Sequence, residues 1–255
     1  MTLRPEERLI VAVDPKLRNN DGNRIYSTRE ATIAHLWEQA NSACAELKGT
    51  GVVVKFNTSF RVLGYPLLDT CAEAGLRIFL DGKFFDIKNT VLNDLAFWGL
   101  YDHIDICTLA EKIDPATFAE GKVLMPNTVF CPVSPLTDLD NVDLLRWYDR
   151  DRTDEAKDFF LRTKKLVGAD GLICSPSDIQ HGYEGMAATR QIICPSVRNA
   201  NDPVDDNSKH ALTPAEAIRA GAWRIVAGRP TQDPQTGLVS RPRVDAMIGQ
   251  IETAA

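Results

Sequence analysis

Nowhere in the 255 residues do 18 apolar side chains run together, so no segment is long enough to cross a bilayer as a helix. The opening stretch, MTLRPEERLIVAVD, offers only five consecutive apolar residues before Asp14, too few for the core of a secretory signal. Excess positive charge is missing too. Lys and Arg number 29 against 35 Asp and Glu, a net of −6, so no basic field draws the chain to nucleic acid or to an anionic membrane. The six cysteines (44, 71, 107, 131, 174 and 194) contain no C-x-x-C pair, and the four histidines lie near no cysteine cluster, which removes the usual zinc frameworks. Reduced thiols used as small apolar side chains are the expectation. Low-complexity tracts and linkers are also lacking. These absences predict one cytoplasmic domain over residues 1–255, with no metal centre.

What is present is an alternation. Short apolar runs, LIVAVD (9–14), VVVKF (52–56), LRIFLD (76–81), HIDICTL (103–109), VLMPNTVF (123–130), GLICSPS (171–177), QIICPSV (191–197) and RIVAG (224–228), read as strands. Helical patterns fall between them, at 28–48, 60–74, 88–99, 114–120, 142–167, 178–189, from Thr213-Pro214 onward, and at 241–252. Ser27 and Glu30 have capping-box spacing at the start of the first. The strand runs are continuously apolar rather than alternating, so both faces are buried and the sheet is parallel. Eight such units in about 250 residues predict an α/β fold, a (β/α)8 TIM barrel. A doubly wound open sheet is the alternative, and it would want G-x-G-x-x-G in the first turn, where DPKLRNNDGNR stands instead.

Barrels of this kind do their chemistry at the C-terminal ends of strands. Those ends carry Asp14, Lys55, Asp81 with Lys83, Arg198 and Gly228-Arg229. Residues two apart on a strand share a face, which aims Asp81 and Lys83 at one site, roughly 6.6 Å apart along the strand. Asp86 lies at an odd separation from Asp81, past the strand. It either solvates a helix start, where a carboxylate suits the dipole, or reaches another pocket such as one on a neighbouring subunit. In AGRPT (227–231), Gly228 admits backbone N–H groups and Arg229 can grip two phosphate oxygens, at the usual phosphate site of such barrels. The 13-residue stretch at 199–211 has the length of a lid.

The stretch D-G-K-F-F-D-I-K-N-T (81–90) resembles the signature of the orotidine 5′-phosphate decarboxylases, D-x-K-x-x-D-I-x-N-T after the third strand. The resemblance runs along the chain, through LIVAVD, VVVKF, PSVR and GRP. It implies a homodimer acting on a pyrimidine nucleotide, orotidine 5′-monophosphate, without metal or organic cofactor. Lys55, Asp81, Lys83 and Asp86 would form the catalytic charge network, with Asp86 supplied by the partner subunit. Asp14 would hold the ribose, Ile87 and Thr90 would line the neighbouring site, and Arg198 and Arg229 would bind phosphate. Asn89, Pro195 and Gly228 complete the implied substrate contacts. So do Cys131, where the family places a hydroxyl residue against the pyrimidine, and Asn207, or Ser208 on a one-residue shift, where it places a lid glutamine.

Departures from the family pattern are few. Pro195-Ser196-Val197-Arg198 replaces Pro-Gly-Ile-Arg, Lys88 stands where proline is usual, and Phe56-Asn57 follows Lys55 where a small residue is common. None removes a catalytic charge. Two rival readings are a Mg²⁺-dependent sugar-phosphate decarboxylase or aldolase sharing D-x-K-x-x-D, and a nucleotide-binding barrel without turnover.

Overall fold

Each strand pairs in parallel with the next, and the first with the last, closing the sheet into a barrel. In order these are β1 (Leu9–Val13), β2 (Val53–Phe56), β3 (Arg77–Phe84), β4 (Ile104–Ala110), β5 (Val129–Val133), β6 (Gly171–Ile173), β7 (Gln191–Cys194) and β8 (Arg224–Ala227). The computed structural model describes residues 3–134, 139, 141–175, 178–179, 190–199 and 212–254. Helices around the barrel include α1 (Arg29–Leu47), α2 (Thr58–Leu63), α3 (Tyr65–Glu73), α4 (Lys88–Trp98) and α5 (Ala116–Leu124). They continue with α6 (Asn141–Tyr148), α7 (Arg152–Lys164), α8 (Pro214–Arg219) and α9 (Arg241–Glu252). Most of the helix expected at 178–189, and the 200–211 stretch with Asn207 and Ser208, lie outside the described residues.

The continuous apolar runs divide by parity between two cores. Ile10, Val53, Phe79, Ile106, Cys131, Ile173, Ile193 and Val226, one from each strand, form a cluster that only the barrel interior can bring together. Alternate residues such as Leu9, Val11, Val54, Leu80 and Ile225 pack outward with the helices in the larger cluster. Burial of both faces is what these unpatterned strands predict.

Several boundaries move, each for a local reason. The cap of α1 is Thr28, whose hydroxyl accepts from Ala31 N at 3.1 Å, rather than Ser27. Expected as one helix, 60–74 divides at Gly64, where φ is 66° and Pro66 starts the next turn. The 142–167 pattern breaks at Asp149 (φ 56°), and Asp151 then caps α7 by accepting from Asp154 N. Val123 to Met125 end α5 instead of opening a strand, so β5 starts at Val129 and runs to Val133. Strands β6 and β7 stop short of the expected 177 and 197. At α8, Thr213 and Glu216 form the reciprocal capping box that the Thr-Pro start implies.

The N-terminal ends of the strands carry a charged floor. Arg224, 2% exposed, bonds to Asp105, and Asp105 also meets Arg77 at 3.5 Å. Arg77 in turn lies 3.5 Å from Glu7, and the Arg224 guanidinium sits 4.4 Å over the Trp223 ring. Charge on this face belongs to stability rather than catalysis.

Candidate active site

At the opposite end, β1, β2 and β3 deliver four charges of alternating sign. The Lys55 ammonium lies 3.2 Å from Asp81 Oδ2 and 3.9 Å from Asp14 Oδ2. Lys83 Nζ donates to Asp81 Oδ1 at 2.7 Å. Thr108, wholly buried on β4, donates its hydroxyl to the same Oδ1 at 2.9 Å and accepts from Lys83 N at 3.0 Å. Burial by itself would raise the Asp81 carboxyl. The ammoniums of Lys55 and Lys83, with the hydrogen bonds from Lys83 and Thr108, outweigh it and hold the group below the usual carboxylate value. Asp81 is thus a buried anion with both oxygens engaged.

Simple strand parity brings Asp81 and Lys83 together for the wrong reason. The register of β3 on β4 shifts between Leu80 and Phe84, and Lys83 has φ 48°, in the left-handed region. Such a conformation costs a side-chain-bearing residue about 1 to 2 kcal/mol. The kink folds Lys83 back onto Asp81, and the Thr108 hydroxyl fixes its amide. Gly82 makes room for it, since a Cβ there would fall 2.5 Å from the Phe84 ring. Strain of this kind is concentrated where a side chain must be aimed.

Two connected compartments open above these charges, sharing Lys55, Pro195 and Val226. The inner one, about 180 Å³, is lined by Asn57, Phe79, Asp81, Lys83, Ser134 and Cys174 among others. Among the described residues, the buried Asn57 Oδ1 has no hydrogen-bond partner. The outer one, about 830 Å³, takes in Asp14, Ser196, Arg198, Gly228 and Arg229. The long loop after β1 supplies part of its wall through Pro15, Lys16, Ile25 and Tyr26, with the Tyr26 and His35 rings tilted against each other, centroids 4.8 Å apart. That loop holds itself through an antiparallel backbone β-bridge between Arg18 and Arg24 and through Asn19, whose side chain accepts from Asp21 N and Asn23 N.

Most of the expected site residues converge: Asp14, Lys55, Asp81, Lys83, Pro195, Arg198, Gly228 and Arg229 all line these compartments. Cys131 does not. It is fully buried inside the barrel, where burial drives its thiol well above the ordinary value, and it borders neither compartment. Ser134, just past the true end of β5, is the hydroxyl that reaches the inner compartment. Asp86, Ile87, Asn89 and Thr90 also stay outside, exposed at the start of α4. Asp86 Oδ1 accepts from Ile87 N at 2.7 Å, and it lies between Phe85 and Ile87, 71% and 72% exposed. Lys88, in place of the usual proline, pairs with Glu120 at 2.9 Å. Thr108, Ser134 and Asn57 join the site without a sequence motif to mark them; for Thr108 the available signal is a lone polar residue in an inward strand position.

A family model described as "Orotidine 5'-phosphate decarboxylase / HUMPS family" matches residues 7–234. An orotidine 5′-phosphate decarboxylase of Rhodopseudomonas palustris is 31% identical over 176 residues, covering 67% of this chain and 72% of that protein. Another, of Coxiella burnetii, aligns over 96% of this chain and 98% of its own length at 24% identity. Among solved structures, the orotidine 5′-phosphate decarboxylase of Lactobacillus acidophilus superposes with a TM-score of 0.68 at 22% identity, covering 96% of this chain and 99% of that one. That likeness speaks to the fold. With the family model matched along nearly the whole barrel, the chain belongs to the orotidine 5′-phosphate decarboxylase / HUMPS family.

Proposed function

We propose that the protein converts orotidine 5′-monophosphate to uridine 5′-monophosphate, without metal or organic cofactor. The observation that carries this reading is the run Asp14–Lys55–Asp81–Lys83 set beside an arginine-lined compartment. Lys16, Lys55, Lys83, Arg198 and Arg229 face Asp14 and Asp81 across the two compartments, an excess of cations that suits a ligand bearing both a phosphate and a carboxylate.

In the reaction, the bond from ring carbon C6 to the carboxylate breaks and CO₂ leaves. The electron pair stays on C6, where the ring offers little delocalisation. An ammonium fixed beside that carbon stabilises the localised charge as it develops. Lys83 then transfers a proton to C6, completing the product. Asp81 holds Lys83 in place and, lying against the substrate carboxylate, repels it until CO₂ departs; this second effect ranks below the cation. Remote phosphate contacts from Arg198 and Arg229 supply binding energy that orients the ring. Asp14 and Lys55 hold the ribose, and Ser134 replaces Cys131 as the pyrimidine contact.

The direct test incubates purified protein with orotidine 5′-monophosphate and follows loss of its absorbance. Turnover that persists in EDTA is expected, and no turnover would leave a binding barrel. A magnesium-dependent rival would need Asp81 as a metal ligand, but its two oxygens already accept from Lys55, Lys83 and Thr108.

Asp86, stranded within its own chain, completes the network across a dimer. Phe85, Ile87, Tyr65, Phe97 and Leu100 are exposed on and beside α3 and α4, an apolar face suited to a second copy. Ile87, Asn89 and Thr90 would then meet the neighbouring site. Mixing Lys83→Ala with Asp86→Ala subunits, each inactive alone, should restore about a quarter of wild-type activity if subunits pair at random. No restoration would mean a site built within one chain.

A further inference from the structure

Two independent features meet at Ser196. Its backbone has φ 63°, the left-handed region, where a residue with a Cβ is disfavoured and glycine is at ease. Its side chain lines the outer compartment and not the inner one, whereas Pro195 borders both. The pairing of Cys194 with Ile225 carries the register on so that Ser196 comes level with Ala227 and Gly228, beside the expected phosphate grip. The Ser196 hydroxyl forms no hydrogen bond among the described residues. An accessible hydroxyl facing the compartment, on a half-buried residue whose backbone favours glycine, is placed to meet a ligand.

We infer that Ser196 binds the phosphate: its Oγ–H donates to a phosphoryl oxygen of the nucleotide held between Arg198 and Arg229. This rests on the reading of the cavity as a nucleotide monophosphate site. A hydroxyl adds a short neutral donor where two guanidiniums already supply the charge. It also reaches from the end of β7, beside the Gly228 backbone. The contact is spent on binding and takes no part in proton transfer.

The test compares Ser196→Gly and Ser196→Ala with wild type. Each is titrated with uridine 5′-monophosphate and with uridine, and each is melted without ligand. Both variants should bind the monophosphate about tenfold more weakly, the loss of one hydrogen bond to a charged group. Both should bind uridine as wild type does. Ser196→Gly alone should melt about 2 to 4 °C higher, because it relieves the backbone. Unchanged affinity for the monophosphate in Ser196→Ala overturns the inference. Equal losses for uridine and its monophosphate also overturn it, since the hydroxyl would then serve the sugar or the base. If wild type binds the monophosphate no better than uridine, the nucleotide reading itself fails and the inference with it.

Discussion

Lys83→Ala is expected to lower kcat by at least about four orders of magnitude while uridine 5′-monophosphate still binds. Two contributions vanish with one side chain: the cation beside the developing carbanion and the proton that quenches it. General acids contribute about 10² to 10⁴ and preorganised electrostatic groups about 10² to 10³, so the combined loss is large. Binding should survive because Arg198, Gly228 and Arg229 lie in the outer compartment, away from Lys83. The diagnostic pattern is a fall in kcat with little change in nucleotide affinity, the mark of an interaction made chiefly in the transition state. Single-turnover assays with a parallel binding titration would measure it. Substantial residual turnover would remove Lys83 from the proton-donor role.

Removing the carboxylate at Asp81 should injure both stability and activity. Asp81 and Lys55 are each 7% exposed, and the carboxylate is shared by two ammoniums. Asp81→Ala leaves those cations facing each other without their common anion, and breaking a buried pair in this way typically destabilises by about 3 to 5 kcal/mol. Activity should fall by about 10³ or more, because Lys83 loses the group that aims it. Asp81→Asn keeps the shape and isolates the charge. The Asp81 carboxyl titrates below its ordinary value in the folded state, so its stabilisation is complete above the ordinary carboxylate range. It is lost as pH falls through the lowered folded value. Melting temperatures taken from about pH 6 down to about pH 3 should therefore decline more steeply for wild type than for Asp81→Asn. Parallel acid limbs would mean that other carboxylates govern acid unfolding.

The barrel could be read from sequence because strands buried on both faces leave long apolar runs, and the two cores confirm that division residue by residue. The charged strand ends were legible for the same reason, since Asp14, Lys55 and Asp81 each interrupt or end such a run. The start of β5 shows why the rest is not legible in the apolar pattern. Val123 to Met125 are apolar enough to read as strand, yet they finish α5, and Val123 is 80% exposed. Moving β5 to Val129–Val133 takes Cys131 from the mouth into the barrel and brings Ser134 to the rim. The bend at Lys83 was equally hidden, because nothing in D-G-K announces a left-handed lysine. Thr108 looked like one polar residue within HIDICTL, and its role appears only when β4 is laid beside β3.

The floor built from Arg224, Asp105, Arg77 and Glu7 sits at the far end of the barrel from Lys83. It works like a keel: the hull stays upright whatever is rigged on deck. Loops at the rim could be transplanted wholesale from a barrel with another chemistry while the keel is left untouched. A designer seeking a new catalyst on this frame should therefore rewrite the rim first and leave Arg224 and Asp105 alone.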